Sequence, residues 1–362
     1  MRALIAAGGT GGHIYPGIAV AGEIMRRDAA SVVRFVGTAR GLESRLVPKA
    51  GFELSLIESA GLKSVSLAAK LRGLILLPKS FLAARRLIRD FRPDIVIGAG
   101  GYVSGPVLLA ASLMGLPTLV MDSNALPGWT NRVLARFVDK AAVSFQEALG
   151  HFRGKGVLTG NPVRPEFFEI PAKERDGSRF SLLVFGGSQG ARAINQAMID
   201  TLPLLGAQKG SLHVTHQTGE AECQKIRGGY ERASWSAAAE VKPYIDDMMS
   251  EFARADLIIC RAGATTSAEL VAAGKAAIMV PFPLAADDHQ RKNAEALQSA
   301  GAARMILQKE LTGARLAEEI SSLIASPESI NQMEAASRKL ARRDAAAATV
   351  DLIEELIPNR SR

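Results

Sequence analysis

From residue 259 the chain reads I-C-R-A-G-A-T-T-S-A-E, and after Pro281 and Pro283 it reaches Asp288, His289 and Gln290. The apolar run Asp256 to Cys260 has strand length and ends at Gly263. Thr265, Thr266 and Ser267 then offer hydroxyls and backbone N–H groups where a helix begins. A helix start carries about half a positive charge and unpaired N–H groups, so it suits a diphosphate without demanding a metal. Glu269 falls three residues past Thr266, on the same side and one turn further in, where a carboxylate can take both hydroxyls of a ribose. A plain βα unit whose Glu269 caps its own helix has the same spacing, and the residue types leave both readings open. Asp288 and Gln290 set a carboxylate beside an amide, the equipment for holding vicinal hydroxyls of a hexose.

The elements that must position these groups follow from length and pattern. At 362 residues and 48% hydrophobic, the chain exceeds the size at which one core keeps growing, so two domains are expected. Short apolar strands at Arg2–Ala7, 32–38, 52–58, 94–98, 117–121, 141–145 and 157–159 alternate with helical stretches. So do strands at Phe180–Phe185, 213–218, 239–244, 256–260, 277–281 and 303–307. Such alternation implies a parallel sheet covered on both faces in each half, an α/β fold. Two prolines and a glycine between Gly160 and Pro165 end regular structure and mark the boundary. Helix is expected from Gly17 to Arg27, and again over the Ala-, Arg- and Glu-rich stretch 326–357, with Ser326 and Pro327 at its start.

Three further strand-to-helix turns are rich in glycine: Gly8 to Gly12 before His13, Gly100 to Gly105, and Gly186 to Gly190 around Ser188. The first departs from G-x-G-x-x-G because Ile14 holds the third glycine position, and no acidic residue ends the next strand, so a nicotinamide dinucleotide is disfavoured. G-x-x-x-x-G-K-S/T is absent, so no ATP-hydrolysing P-loop is indicated. Cys223 and Cys260 form no C-x-x-C, which fits a reducing compartment. The opening residues read as a strand rather than a secretory signal, and no apolar run approaches about 18 residues, so neither export nor membrane spanning is expected.

The net charge of +8 is unevenly spread. Residues 61–93 carry eight basic residues against Asp90 alone, together with Leu71, Leu74, Ile75, Leu76, Leu77, Phe81 and Leu82, on a helix expected to be interrupted near Pro78. This is a basic amphipathic stretch of the kind that lies on an anionic membrane surface. Leu74, Ile75, Leu77 and Phe81, with Lys70, Arg72 and Lys79, form the expected patch, whereas Leu82, Leu87 and Ile88 are expected to pack on the sheet. Nucleic acid is a poor fit for the charge, because aromatics are only 5% and no recognised binding motif occurs.

G-x-x-T-x-x-E from Gly263, followed by D-H-Q from Asp288, is similar to the donor-site signature of nucleotide-sugar glycosyltransferases with two Rossmann-like domains. With G-G-T-G-G-H ending at His13, G-G-Y-V-S-G-P from Gly100, G-N-P-V-R ending at Arg164, G-G-S-Q-G-A from Gly186, C-R-A-G-A from Cys260 and P-F-P from Pro281, the chain resembles the bacterial peptidoglycan N-acetylglucosaminyltransferases past residue 300. The resemblance implies two Rossmann-like domains facing across a cleft, the GT-B arrangement. Residues 1–163, with a terminal helix at about 340–362, would form the acceptor and membrane-associating domain, and 164–339 the UDP-GlcNAc domain.

The implied activity is inverting transfer of GlcNAc from UDP-GlcNAc to the 4-hydroxyl of MurNAc in lipid I, a polyprenyl-diphosphate-linked acceptor, giving lipid II for the cell wall. A UDP-GlcNAc 2-epimerase or another GT-B glycosyltransferase is the alternative. Arg164, Ser188, Ala264, Thr265 and Thr266 are implied for the UDP diphosphate, the backbone of Ile245 for uracil, Glu269 for the ribose, and Gln290, with Asp288, for GlcNAc. Thr10, Gly11, Gly12 and Asn124 would complete the substrate site from the first domain, and Gly101, Tyr102 and Ser104 would take the acceptor diphosphate. Asp122 and Ser123 depart from the family's Glu- or Gln-rich turn, while Asn124 is retained. His13 is implied as the base that takes the acceptor proton, with fixing the loop or binding acceptor diphosphate as the other readings. No D-x-D occurs, and the motifs call for no cofactor or divalent metal. The resemblance also implies a peripheral position on the cytoplasmic face of the plasma (inner) membrane, with cell-wall-synthesis or division proteins as further partners.

Overall fold

The computed structural model describes the chain except Thr10, Arg40, residues 59–66, Asp176, Ser178, Ser188, Ala286, Asp287 and residues 358–362; of residues 67–77 it describes the backbone alone. It divides into two compact units, Met1–Arg164 with Arg342–Arg362, and Pro165–Ala341. In the first unit the order is β1 (Arg2–Ala7), α1 (Gly11–Arg27), β2 (Val32–Gly37), α2 (Glu43–Lys49), β3 (Glu53–Leu56), α3 (Leu67–Phe91), β4 (Ile95–Gly100), α4 (Ser104–Leu113), β5 (Thr118–Asp122), α5 (Trp129–Leu134), β6 (Lys140–Val143) and β7 (Gly156–Leu158). The second unit runs β8 (Phe180–Phe185), α6 (Arg192–Thr201), β9 (Leu212–Gln217), α7 (Cys223–Arg232), β10 (Ala239–Lys242), α8 (Met248–Arg254), β11 (Leu257–Cys260), α9 (Ala264–Ala273), β12 (Ala277–Met279), α10 (His289–Ser299), β13 (Ala303–Met305), α11 (Gly313–Ile324) and α12 (Pro327–Leu340). The chain then returns to the first unit as α13 (Ala345–Leu356).

Both sheets are parallel. The first has the order β3-β2-β1-β4-β5-β6-β7 and the second β10-β9-β8-β11-β12-β13. Apolar residues run without a break along the central strands because each face is covered. In β1, Leu4 and Ala6 enter one core with Ile88, Phe91, Val96 and Val107. Ala3, Ile5 and Ala7 enter the opposite one with Val20, Ile24, Ile97, Val350 and Ile353. Strand order reverses direction between β1 and β4, and again between β8 and β11. Open α/β sheets bind their ligands beyond the carboxyl ends of the strands that flank such a reversal.

Four expectations need correction. Helix α1 begins at Gly11 rather than Gly17 and carries Pro16 inside, because Ile14, Pro16, Gly17 and Val20 are all buried and packing outweighs the missing N–H. Helix α3 likewise runs through Pro78 without a break. The stretch 326–357 is two helices, α12 in the second unit, capped by Ser326 accepting from Ser329 N at 3.4 Å, and α13 in the first. On α3, Phe81 packs partly buried against the core while Leu82 is 61% exposed, the reverse of the expected pair. Ala84, Ile88 and Phe91 set the buried face, and one residue rotates a helix by about 100°. The side chains of Lys70, Arg72, Leu74, Ile75 and Leu77 lie outside the described residues; Lys79 is exposed.

Candidate active site

In the first unit the expected residues gather where β1 and β4 end. Gly100 and Gly101 have φ of +116° and +83°, a region that L side chains rarely adopt. A Cβ on Gly100 would come within 2.8 Å of Cγ and Cε1 of His13, and closer still to Nδ1; one on Gly101 would lie 2.8 Å from the carbonyl carbon of Gly8. The missing side chains therefore let the β4–α4 turn close against both the first glycine turn and the imidazole. His13 is half-buried in the first turn of α1, and Gly11 and Gly12 are that helix's first two residues, at its positive end.

The same turn is held from the other side by Glu43, the first residue of α2. Its fully buried carboxylate accepts from Gly9 N through Oε2 (2.9 Å) and from Thr38 N and Oγ1 through Oε1 (2.8 and 2.9 Å). Nothing in the spacing of Glu43 announces this, because the contact joins turns 34 residues apart.

Ser104 is not available to an acceptor. It is fully buried, its Oγ lying 2.8 Å from both Ala6 O and Gly100 O and accepting Gly100 N–H at 3.0 Å, so it ties β1 to the β4–α4 turn. Tyr102, by contrast, is 57% exposed. Asp122 at the end of β5 is buried. Burial raises its pKa, against N–H groups of Asn124, Asn131 and Gly128 that lower it. This carboxylate holds the backbone of Asn124, so the Asp at that position keeps the turn that carries the amide. Arg164 is the last residue of the first unit's opening segment, with its guanidinium 4.9 Å from the centroid of the Tyr15 ring. Thr10 lies outside the described residues.

In the second unit they gather where β8 and β11 end. Gly263 leads into α9, whose first residues are Ala264, Thr265 and Thr266. Thr265 Oγ1 and Ser267 Oγ are buried hydroxyls with no hydrogen-bond partner among the described residues, which is costly unless a ligand or water supplies one. Glu269 lies on α9 near the end of β11, close enough for its charge to add to burial in raising the Cys260 thiol. Gln290 Oε1 accepts from Phe282 N at 3.0 Å, which leaves its NH2 as the group to offer a sugar hydroxyl. Asp288 is exposed, with φ of 55°, just before α10.

Two residues that sequence spacing did not single out organise this end of the second sheet. Gln217, at the end of β9 and 2% exposed, donates through Nε2 to Gly187 O (2.9 Å) and accepts Ile245 N–H through Oε1 (2.8 Å). The N–H of Ile245 is thus committed, and its carbonyl is the backbone group that can read a base. Arg261 donates to Val280 O and Pro281 O (3.0 and 3.1 Å) and to Gln308 Oε1 (2.7 Å), fixing the start of the loop that carries Phe282. Ser188 lies outside the described residues.

The arrangement has known counterparts. The glycosyltransferase family 28 N-terminal domain matches residues 3–143 and the family's C-terminal domain matches residues 181–349. The chain is 48% identical over 353 residues to the UDP-N-acetylglucosamine–N-acetylmuramyl-(pentapeptide) pyrophosphoryl-undecaprenol N-acetylglucosamine transferase of Syntrophus aciditrophicus, covering 97% of each. It is 48% identical over 359 residues to the Myxococcus xanthus enzyme of that name, covering 99% of this chain and 93% of that one. Among solved structures, Acinetobacter baumannii MurG superposes with a TM-score of 0.75 at 31% identity, over 98% of this chain and 99% of that one. A UDP-GlcNAc 2-epimerase from Neisseria meningitidis superposes with a TM-score of 0.71 at 14% identity, over 98% of this chain and all of that one, a likeness of fold alone. With both family domains matched in order and near-half identity over almost the full length, the chain belongs to glycosyltransferase family 28, among the N-acetylglucosamine transferases.

Proposed function

We propose that this protein transfers GlcNAc from UDP-GlcNAc to the 4-hydroxyl of the MurNAc residue of a polyprenyl-diphosphate acceptor, with inversion. The observation that carries this reading is the 48% identity over 97% of both chains to a transferase named for that reaction. In the proposed step the acceptor oxygen attacks the anomeric carbon, the bond from that carbon to the diphosphate oxygen breaks, and His13 takes the hydroxyl proton. Charge builds on the departing diphosphate, and the positive end of α9 at Ala264, Thr265 and Thr266 stabilises it where it forms. Glu269 holds the ribose, the carbonyl of Ile245 the uracil, and Gln290 a GlcNAc hydroxyl. Gly11, Gly12, Gly101, Tyr102 and Asn124 face the acceptor or the sugar from the first unit.

The acceptor's lipid keeps it in a bilayer, so the first unit works at a membrane surface, the cytoplasmic leaflet in this reading. Among the described residues no helix is long and apolar enough to cross a membrane. Support for surface docking comes from α3, α4, α5 and the turn after α5. They expose Leu82, Leu113, Trp129, Val133 and Phe137, and the same segments expose Arg85, Arg86, Arg89 and Arg136. The test of function is turnover of radiolabelled UDP-GlcNAc with and without a lipid I analogue. Transfer that requires the acceptor is expected; acceptor-independent conversion of the label to UDP-ManNAc or ManNAc would replace this reading with epimerisation.

A further inference from the structure

We infer that Glu43 is a positioning residue for the transfer step: its carboxylate fills the anion-holding place behind the first glycine turn and so fixes the loop that leads into His13. The inference rests on the proposed transferase reading and extends it to a side chain that need not touch either substrate. Three observations converge. The carboxylate is fully buried and satisfied by the N–H of Gly9, on the β1–α1 turn, and by the N–H and hydroxyl of Thr38, after β2. A Cβ on Gly8 would lie 3.1 Å from Oε1. One on Gly37 would lie 3.3 Å from Cδ and nearer to Cγ, and one on Gly41 would overlap the carboxylate, so three glycines from two turns shape the space it occupies. On the opposite side, the backbone of Gly101 lies under Gly8 and that of Gly100 under the His13 ring.

The glycine turn is thus gripped between an anion of the protein's own and the β4–α4 turn. In this fold a turn after the first strand commonly lends its N–H groups to a ligand phosphate. Here Glu43 already accepts the Gly9 N–H, so ligand contacts from this segment fall to the start of α1, beside His13. A buried carboxylate also resists substitution by its amide. In Glu43→Gln the two oxygens become one oxygen and one NH2. If Thr38 keeps the oxygen, the NH2 meets the Gly9 N–H donor to donor; if the side chain flips, the mismatch moves to the Thr38 N–H.

The experiment compares wild type, Glu43→Gln and Glu43→Asp for kcat and KM of both substrates, UDP binding, melting temperature, and the titration of His13 followed by NMR. His13→Asn assigns the His13 resonance among the five histidines. For Glu43→Gln, kcat is expected to fall about 10- to 100-fold, as for a reacting group displaced by up to about 1 Å. UDP affinity, which belongs to the second unit, should change less than twofold, and the His13 titration should shift. Glu43→Asp, which restores the charge on a shorter arm, should recover part of kcat. A variant that stays folded with unaltered kcat and an unmoved His13 titration overturns the inference. So does equal loss of UDP binding and activity, which would mean general damage. If wild type shows no GlcNAc transfer the functional reading fails, while the His13 titration still decides whether Glu43 sets that loop.

Discussion

Gly100→Ala puts the geometry around His13 to a quantitative test. The added Cβ would arrive within 2.8 Å of two ring carbons of His13 and closer to Nδ1, whereas ordinary contacts begin at 3.4 Å. The imidazole, or the turn beneath it, must therefore shift by roughly 1 Å. A misplacement of that size costs a reacting group about 100-fold in rate when the geometry is that of a near-attack complex. The φ of +116° adds a backbone penalty of about 1 to 3 kcal/mol. For a unit of this size each kcal/mol lowers the melting temperature by about 2 to 4 °C. The assay is steady-state transfer well below the melting transition, with UDP affinity measured in parallel. His13→Ala sets the floor, expected about 100- to 10,000-fold below wild type if the imidazole is the base. Gly100→Ala should fall near 100-fold in kcat with UDP affinity unchanged. A folded Gly100→Ala within threefold of wild type would refute the idea that the turn holds His13 in its working position. If instead His13→Ala kept kcat within a few-fold and raised the acceptor KM, His13 would be a diphosphate ligand.

In the second unit, Glu269→Ala and Gln290→Ala should each weaken use of UDP-GlcNAc. Each lost hydrogen bond is worth about 0.5 to 1.5 kcal/mol, more where charged, and Gln290→Ala should narrow discrimination against the 4-epimer; unchanged kinetics in both variants would remove the assignment. His216 is fully buried between Tyr230 and Asn195, and burial depresses its pKa to about 3. The unfolded chain thus binds a proton that the folded one refuses, and stability falls as pH drops from about 6.5 toward 3. Urea denaturation at pH 6.5 and 5 should differ by about 2 kcal/mol from this residue, and a His216→Gln variant should flatten that slope. Changing Leu82, Leu113 and Phe137 together to Ser should reduce co-sedimentation with anionic liposomes. About 0.5 M salt should release wild type, since each basic residue near the leaflet contributes about 1 kcal/mol and screening is strong there. Equal binding by the variant would sink the docking surface.

Much of the fold was legible because the central strands, such as β1, β4, β5, β8 and β11, are short apolar runs, and both-face burial writes such runs plainly. What failed was local inference where packing ruled. Pro16 and Pro78 read as helix breaks, yet each sits inside a helix, Pro16 among buried neighbours and Pro78 a turn and a half before the buried Ala84. Phe81 and Leu82 differ by one position, and only the orientation of α3 on the sheet decides which is inside. The glycine turns were visible as strand-to-helix turns, but the reason for Gly100 is the His13 ring 87 positions away. Ser104, a hydroxyl in a loop motif, proved to be a tie between β1 and β4. Glu43, Gln217 and Arg261 carry no signal in spacing, because each acts through hydrogen bonds to backbone atoms of distant turns.

The return of α13 to the first unit bears on how the chain is made. Val350, Leu352 and Ile353 help to fill the core beside Ile5, Ile24 and Ile97, so that layer is unfinished until the last helix is synthesised. Pro165–Ala341, by contrast, is continuous and holds its own core. At about 5 to 20 residues per second, the first sheet waits roughly 10 to 40 s on the ribosome for its covering helix while the later unit can already close. The usual order of domain maturation is inverted. Through that interval the apolar surface of α1 and β6 that α13 covers is a ready substrate for a chaperone, and a chain cut short of residue 345 would leave it open.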